Sequence, residues 1–141
     1  MTLIKESELV LVAFEKIMQT KAYTVVILGV EDKKFAIYVD PQIGKTMQLY
    51  LTEQKHPRPL THDLFNLTLK GFDIKPIQVV ITTIEETVYY ARLFLEQTIN
   101  DQRHIVEIDC RPSDALTIAI LNDIPVYCTK QVLDESISIE E

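Results

Sequence analysis

The chain has 141 residues, 47% hydrophobic content and 25% charged residues, the size and balance of one ordinary folded domain with its own core. Fourteen lysines and arginines against 21 aspartates and glutamates leave a formal charge of −7, so a generic basic nucleic-acid binder is disfavoured, because long-range attraction to phosphate is absent or reversed. Three glycines and six prolines exclude a collagenous or low-complexity chain, and no apolar run approaches the ~18 residues of a membrane span.

The first eight residues, Met1 to Glu8, have no basic flank before an apolar stretch and do not read as a signal peptide. Leu9 to Phe14 is apolar and valine-rich and reads as a strand, although its charged flanks also suit a helix. Tyr23 to Val30 and Phe35 to Val39 are β-branched and aromatic, with turn residues between them, and predict a hairpin. Asp40-Pro41 ends the second strand and opens a helix that closes near Tyr50 and Leu51.

His56-Pro57-Arg58-Pro59 is a stiff break in which His56 is expected to face solvent. Thr61 reads as the N-cap of a second helix that ends at Gly71. Ile77 to Ile84, Thr87 to Leu95 and Ile105 to Ile108 predict a three-stranded antiparallel meander, with turns at Glu85-Glu86 and Asn100-Asp101 and His104 exposed beside the second. Pro112 opens a third helix, which Asn122-Asp123 stops. Val126 to Cys128 is a short strand, and Lys130 to Asp134 a short helix.

The halves repeat one order: strands, a polar turn with proline, then a helix. Two such units in one mixed, largely antiparallel sheet make a single α+β domain over residues 1–135. Residues 136–141 form an acidic tail expected to be solvated. Two cysteines are too few for a disulfide scaffold, so a reduced, cytoplasmic protein is expected. Cys128 reads as a buried, inert thiol. Cys110 stands beside Arg111 with no base near it in sequence, which argues against a nucleophile.

No Gly-rich phosphate loop, HExxH or GxSxG motif is present. Two polar clusters remain. Arg58-Pro-Leu-Thr61-His62-Asp63 gathers a guanidinium, an imidazole and a carboxylate at a helix start, where backbone N–H groups attract an anion. Asp109-Cys-Arg111-Pro-Ser113-Asp114 joins a strand end to a helix start. There Asp109 and Asp114 could share Mg²⁺ or Mn²⁺ and Arg111 could clamp a phosphate. Both clusters also read as plain helix caps with local ion pairs, and spacing alone does not choose.

The strings RPLTHDL (58–64), VEIDCRPSDALTIAI (106–120) and IPVYCTKQVLDE (124–135) resemble the bifunctional nuclease domain family. The resemblance runs from about Val39 to Glu135. It implies an α+β fold, a homodimer, and activity on RNA and DNA as nucleic-acid partners, assisted by a divalent cation. The residues of both clusters stand as in the family's two motifs, and the clusters themselves suggest Asp109 and Asp114 as catalytic metal ligands, Arg58 and Arg111 as phosphate clamps among the substrate-binding residues with Thr61 and Ser113, and His62 with Asp63 as an acid–base pair. One departure stands out. The family's first helix opens with a Pro-x-Glu-Ala pattern, whereas this chain has Pro41-Gln42-Ile43-Gly44, and the internal repeat aligns Ile43 with Asp114. A non-catalytic, dimeric ligand-binding or regulatory module of the same fold is therefore the competing reading.

Overall fold

A computed structural model describes residues 8–139. The amino-terminal stretch read against a signal peptide lies outside them, apart from Glu8, as do the last two residues of the tail. Seven strands form one mixed sheet in the order β3-β2-β1-β7-β4-β5-β6. Three strands, β1 (Leu9–Gln19), β2 (Thr24–Val30) and β3 (Lys33–Val39), make the first meander and lead into α1 (Pro41–Leu51). After α2 (Thr61–Gly71), the strands β4 (Ile74–Glu85), β5 (Val88–Ile99) and β6 (Gln102–Cys110) make the second meander and lead into α3 (Pro112–Asn122). The short β7 (Val126–Thr129) then inserts between the two meanders, and α4 (Lys130–Glu135) follows. β7 pairs antiparallel with β1 and parallel with β4; every other pairing is antiparallel.

The strand-then-helix repeat is therefore real in three dimensions, and the fold is α+β. Strands run longer than their β-branched cores suggest. β1 continues past Phe14 to Gln19 because its register shifts between Phe14 and Lys16, leaving Glu15 over as the extra residue of a bulge. That break in alternation is what made the segment look helical. β4 begins at Ile74 and tolerates Pro76 because a second register shift falls between Pro76 and Gln78. The β4–β5 turn falls one residue later than expected, with Glu86 and Thr87 both at positive φ, the handedness a two-residue hairpin requires.

The sheet curls around α3. Phe35 of β3 stacks on Tyr89 of β5 at 5.5 Å, although β3 and β5 are far apart in strand order. Helix α3 has no polar stripe: Ser113, Ala115, Leu116, Thr117, Ile118 and Ala119 are all buried. A helix apolar on every side belongs in a core. Burying side chains such as Leu116 and Ile118 contributes about 1.5–3 kcal/mol each. Thr117 satisfies its hydroxyl by donating to the Ser113 carbonyl at 2.7 Å.

In the described part of the tail, Ile137 and Ser138 are exposed. Ser136 is buried, and the Ile139 N–H donates to the Lys34 carbonyl at 2.8 Å, so residues 136–139 return to the β3 edge.

The repeat shows a volume exchange. Thr24 of β2 stands opposite Val39, just before the turn into α1, and Ala91 of β5 stands opposite Cys110, just before the turn into α3. Gly44 of α1 then matches Ala115 of α3. A Cβ on Gly44 would collide with the Thr24 side chain, so the bulk that one unit places on its helix the other places on its strand. Gly44→Ala is expected to destabilise the protein by about 1–3 kcal/mol. Adding Thr24→Ala should recover most of that loss in urea denaturation, restoring the Ala/Ala arrangement of the second unit.

Candidate functional site

The site is built at the starts of two helices. Strand β6 ends at Cys110, Arg111 takes the N-cap place of α3, and Pro112 fixes the first turn. In the first unit the N-cap is Asp40, whose carboxylate accepts from the Gln42 N–H at 2.8 Å. The second unit has exchanged that acid for Arg111 and carries its carboxylate three residues on, at Asp114. Its pseudo-equivalent in α1 is Ile43.

Asp114 holds the site together. Its Oδ1 lies 2.9 Å from His62 Nε2. Its Oδ2 accepts from Arg111 Nε at 3.2 Å and from Arg111 Nη2 at 3.1 Å. The two polar clusters thus meet, 52 residues apart in sequence. An ionised carboxylate only accepts hydrogen bonds, so in the neutral ring Nε2 carries the proton and Nδ1 is the acceptor. Among the described residues, His62 Nδ1 has no hydrogen-bond partner, and it is not among the buried orphan atoms. The His62 side chain keeps 17% of its surface exposed. The Arg111 side chain is 71% exposed, leaving its remaining N–H groups facing outward.

Asp63 does something else. Successive helix residues point about 100° apart, so Asp63 cannot share His62's partner. Its Oδ2 accepts from the Leu60 N–H at 2.8 Å and from His56 Nε2 at 2.7 Å. Leu60, not Thr61, is the N-cap of α2, and Asp63 caps the helix from its third position. Burial on its own would raise the Asp63 pKa, but the Leu60 N–H, His56 and Tyr50 outweigh it and hold the carboxyl below its ordinary value. The Tyr50 hydroxyl is buried against this carboxylate without a hydrogen bond of good geometry. Burial first, then Asp63, pushes its pKa up to about 12.

His56 is not solvent-facing. Its ring packs edge-on to Tyr50 with centroids 6.3 Å apart, and its Nδ1 is buried without a partner. Pro57 and Pro59 narrow the loop's freedom and turn the imidazole back onto α2. His56 and Tyr50 were missed because their partner is seven and thirteen residues away. The proline bracket around Arg58 was the available signal.

The remaining site residues are dispersed. Thr61 is exposed at the first position of α2, and Ser113 is buried at the second position of α3. Asp109 is exposed on β6; strand alternation turns it away from the core face that Ile108 and Cys110 share. His104 is exposed in β6 itself rather than in the turn before it. Arg58 lines a cavity of about 630 Å³ that Asp63 also borders. Arg111 and Ser113 line a separate cavity of about 690 Å³.

The donor set was tested for a divalent cation. Both Asp114 oxygens are already engaged by His62 and Arg111, and no three His, Cys, Asp or Glu residues are grouped to hold a metal ion among the described residues. The residues present do not fit such an ion in this arrangement. Cysteine chemistry is no better supplied: burial, then Asp109 and Asp114, pushes the Cys110 thiol up to about 11, and burial puts Cys128 at about 11.

The sheet, the repeat and the two joined clusters together define an α+β domain of one recognisable class. Residues 26–140 match the bifunctional nuclease domain, and the chain belongs to that family. It is also similar to two Mycobacterium tuberculosis proteins, named Uncharacterized protein MT1877 and Uncharacterized protein Rv1829, each 27% identical over 107 residues. The match covers 74% of this chain but only 60% of either relative. No helix among the described residues is long and apolar enough to cross a membrane.

The Asp63 network makes an acid-range prediction. A carboxyl whose folded pKa is depressed stabilises the protein above its unfolded pKa, and that stability is lost as pH falls through the folded value. Asp63→Ala should cost about 1–3 kcal/mol at neutral pH. The gap to wild type in urea denaturation should shrink as pH drops below the ordinary carboxylate range.

Proposed function

We propose that this chain is a nuclease-like phosphodiesterase acting on nucleic acid, with His62 as proton acceptor, Arg111 as phosphate clamp and Asp114 as the residue that positions both. The observation that supports it is the continuous His62–Asp114–Arg111 chain. Family membership supports the substrate class.

Phosphodiester hydrolysis needs an activated water and neutralisation of the phosphoryl oxygens. Asp114 fixes Nε2 as the protonated nitrogen, so Nδ1 faces the reacting centre as a base. Water's oxygen forms the new P–O bond and its proton passes to Nδ1. The ester P–O bond breaks, and the leaving oxygen takes a proton from the imidazolium or from solvent. The outward N–H groups of Arg111 meet the phosphoryl oxygens, and Asp114 keeps the guanidinium from swinging away. No step is routed through a cation.

A second reading, a non-catalytic ligand-binding module, is favoured by Ile43. At the matching place in α1 it supplies no carboxylate, so only one of the two helix starts carries the polar chain.

His62→Ala should lower turnover of single-stranded RNA or DNA by about 10²–10⁴-fold. Asp114→Asn, which removes the charge and one of the two acceptor oxygens, should fall nearly as far, and excess chelator should leave the wild-type rate unchanged. The assay needs rigorously purified protein, with the variants prepared in parallel, because contaminating nucleases imitate weak activity. Full activity in purified His62→Ala would overturn the assignment and favour the binding module.

A further inference from the structure

The cavity beside Arg58 takes no part in the chemistry proposed for His62, yet three cationic side chains line it in an acidic protein. Arg58, Lys70 and Lys75 line it from three elements: the proline loop, the end of α2 and the start of β4. None of the three forms an ion pair among the described residues. Two carboxylates, Asp63 and Asp73, also line it. Asp63 is engaged by His56 and the Leu60 N–H. The wall therefore carries one net positive charge in a chain whose total is −7. Three cations left without partners around one hollow pay a repulsion that an anion would relieve.

The rest of the lining is mixed: Leu67 and Ile74 give it hydrocarbon surface, and Asn66 and Asn122 give it amide groups. The buried, partnerless Nδ1 belongs to His56, another lining residue. A volume of about 630 Å³ lies within the range of ~300–1,000 Å³ that small ligands occupy. The ligand this wall suits has an anionic end and a flat, weakly polar end.

We infer that this cavity is a nucleotide-binding subsite, in which Arg58, Lys70 and Lys75 hold the phosphate and Leu67 and Ile74 receive the base. The nucleotide is either free or one unit of a bound strand, and the chemistry of recognition is the same for both. The subsite stands independently of the His62 assignment, because none of its cations touches Asp114.

The test is calorimetric titration of the full chain with adenosine 5′-monophosphate, adenosine and a single-stranded hexanucleotide. Wild type, His62→Ala and a Lys70→Glu/Lys75→Glu double variant are compared. Tighter binding of the monophosphate than of adenosine, equal in wild type and His62→Ala and weakened at least about tenfold in the double variant, supports a free-nucleotide site. Binding of the hexanucleotide alone, weakened to the same degree and with a shallower salt dependence, supports a strand subsite. Equal affinities in wild type and the double variant, or no binding of either phosphate-bearing probe to wild type, overturns the inference. Both lysines are exposed, so the double variant is expected to fold. If its cooperative melting is lost, Lys70→Gln/Lys75→Gln is measured in its place. Loss of turnover in His62→Ala with nucleotide binding intact separates this subsite from the catalytic proposal.

Discussion

A carboxylate at the start of a buried helix must have its charge answered, or the helix end costs more than its burial returns. Asp114 is answered twice, by His62 on one oxygen and Arg111 on the other. The first of these contacts docks α2 onto α3, and the second is local to the start of α3. Helix α2 has little else to dock with, since Leu69 is its one buried residue. A second polar bridge lies further along, where the amides of Asn66 and Asn122 exchange hydrogen bonds at 2.9 and 3.0 Å. The helix that carries His62 is thus tethered mainly by polar groups, with Leu69 its one side chain in the core. The position of the His62 ring is set by that carboxylate.

The internal repeat explains why only one end of the molecule acquired this arrangement. Both units turn from a strand into a helix through a proline. The first keeps a plain capping aspartate, Asp40, and an apolar Ile43. The second has moved its acid inward by one turn and put a guanidinium in the cap. The exchange costs the cap its side-chain acceptor, and α3 tolerates that because its burial supplies the stability. Stability from packing leaves the helix start free to carry polar groups chosen for something other than capping.

Much of this was legible in the sequence. The β-branched runs located the strands, the two prolines located the helix starts, and RPLTHDL and RPSDA marked the two corners that meet. What was not legible was partner choice. His62 and Asp63 are neighbours in the chain and read as a pair, yet helical geometry sends them to Asp114 and His56 respectively. Sequence proximity favours i and i+1, whereas a helix start selects partners by direction. The bulged Glu15 hid the second half of β1, past Phe14, for a similar reason: one extra residue interrupts the alternation by which a half-buried strand is read.

The place of β7 bears on biosynthesis. Among the described residues it comes after the six other strands in chain order, yet it is the central one in the sheet. Until it emerges, β1 and β4 each present an uncovered ladder of backbone donors and acceptors, and the two meanders have nothing to align them. A nascent chain therefore holds two unjoined half-sheets until β7 closes them, the step before which truncated or stalled products would be most prone to stick together.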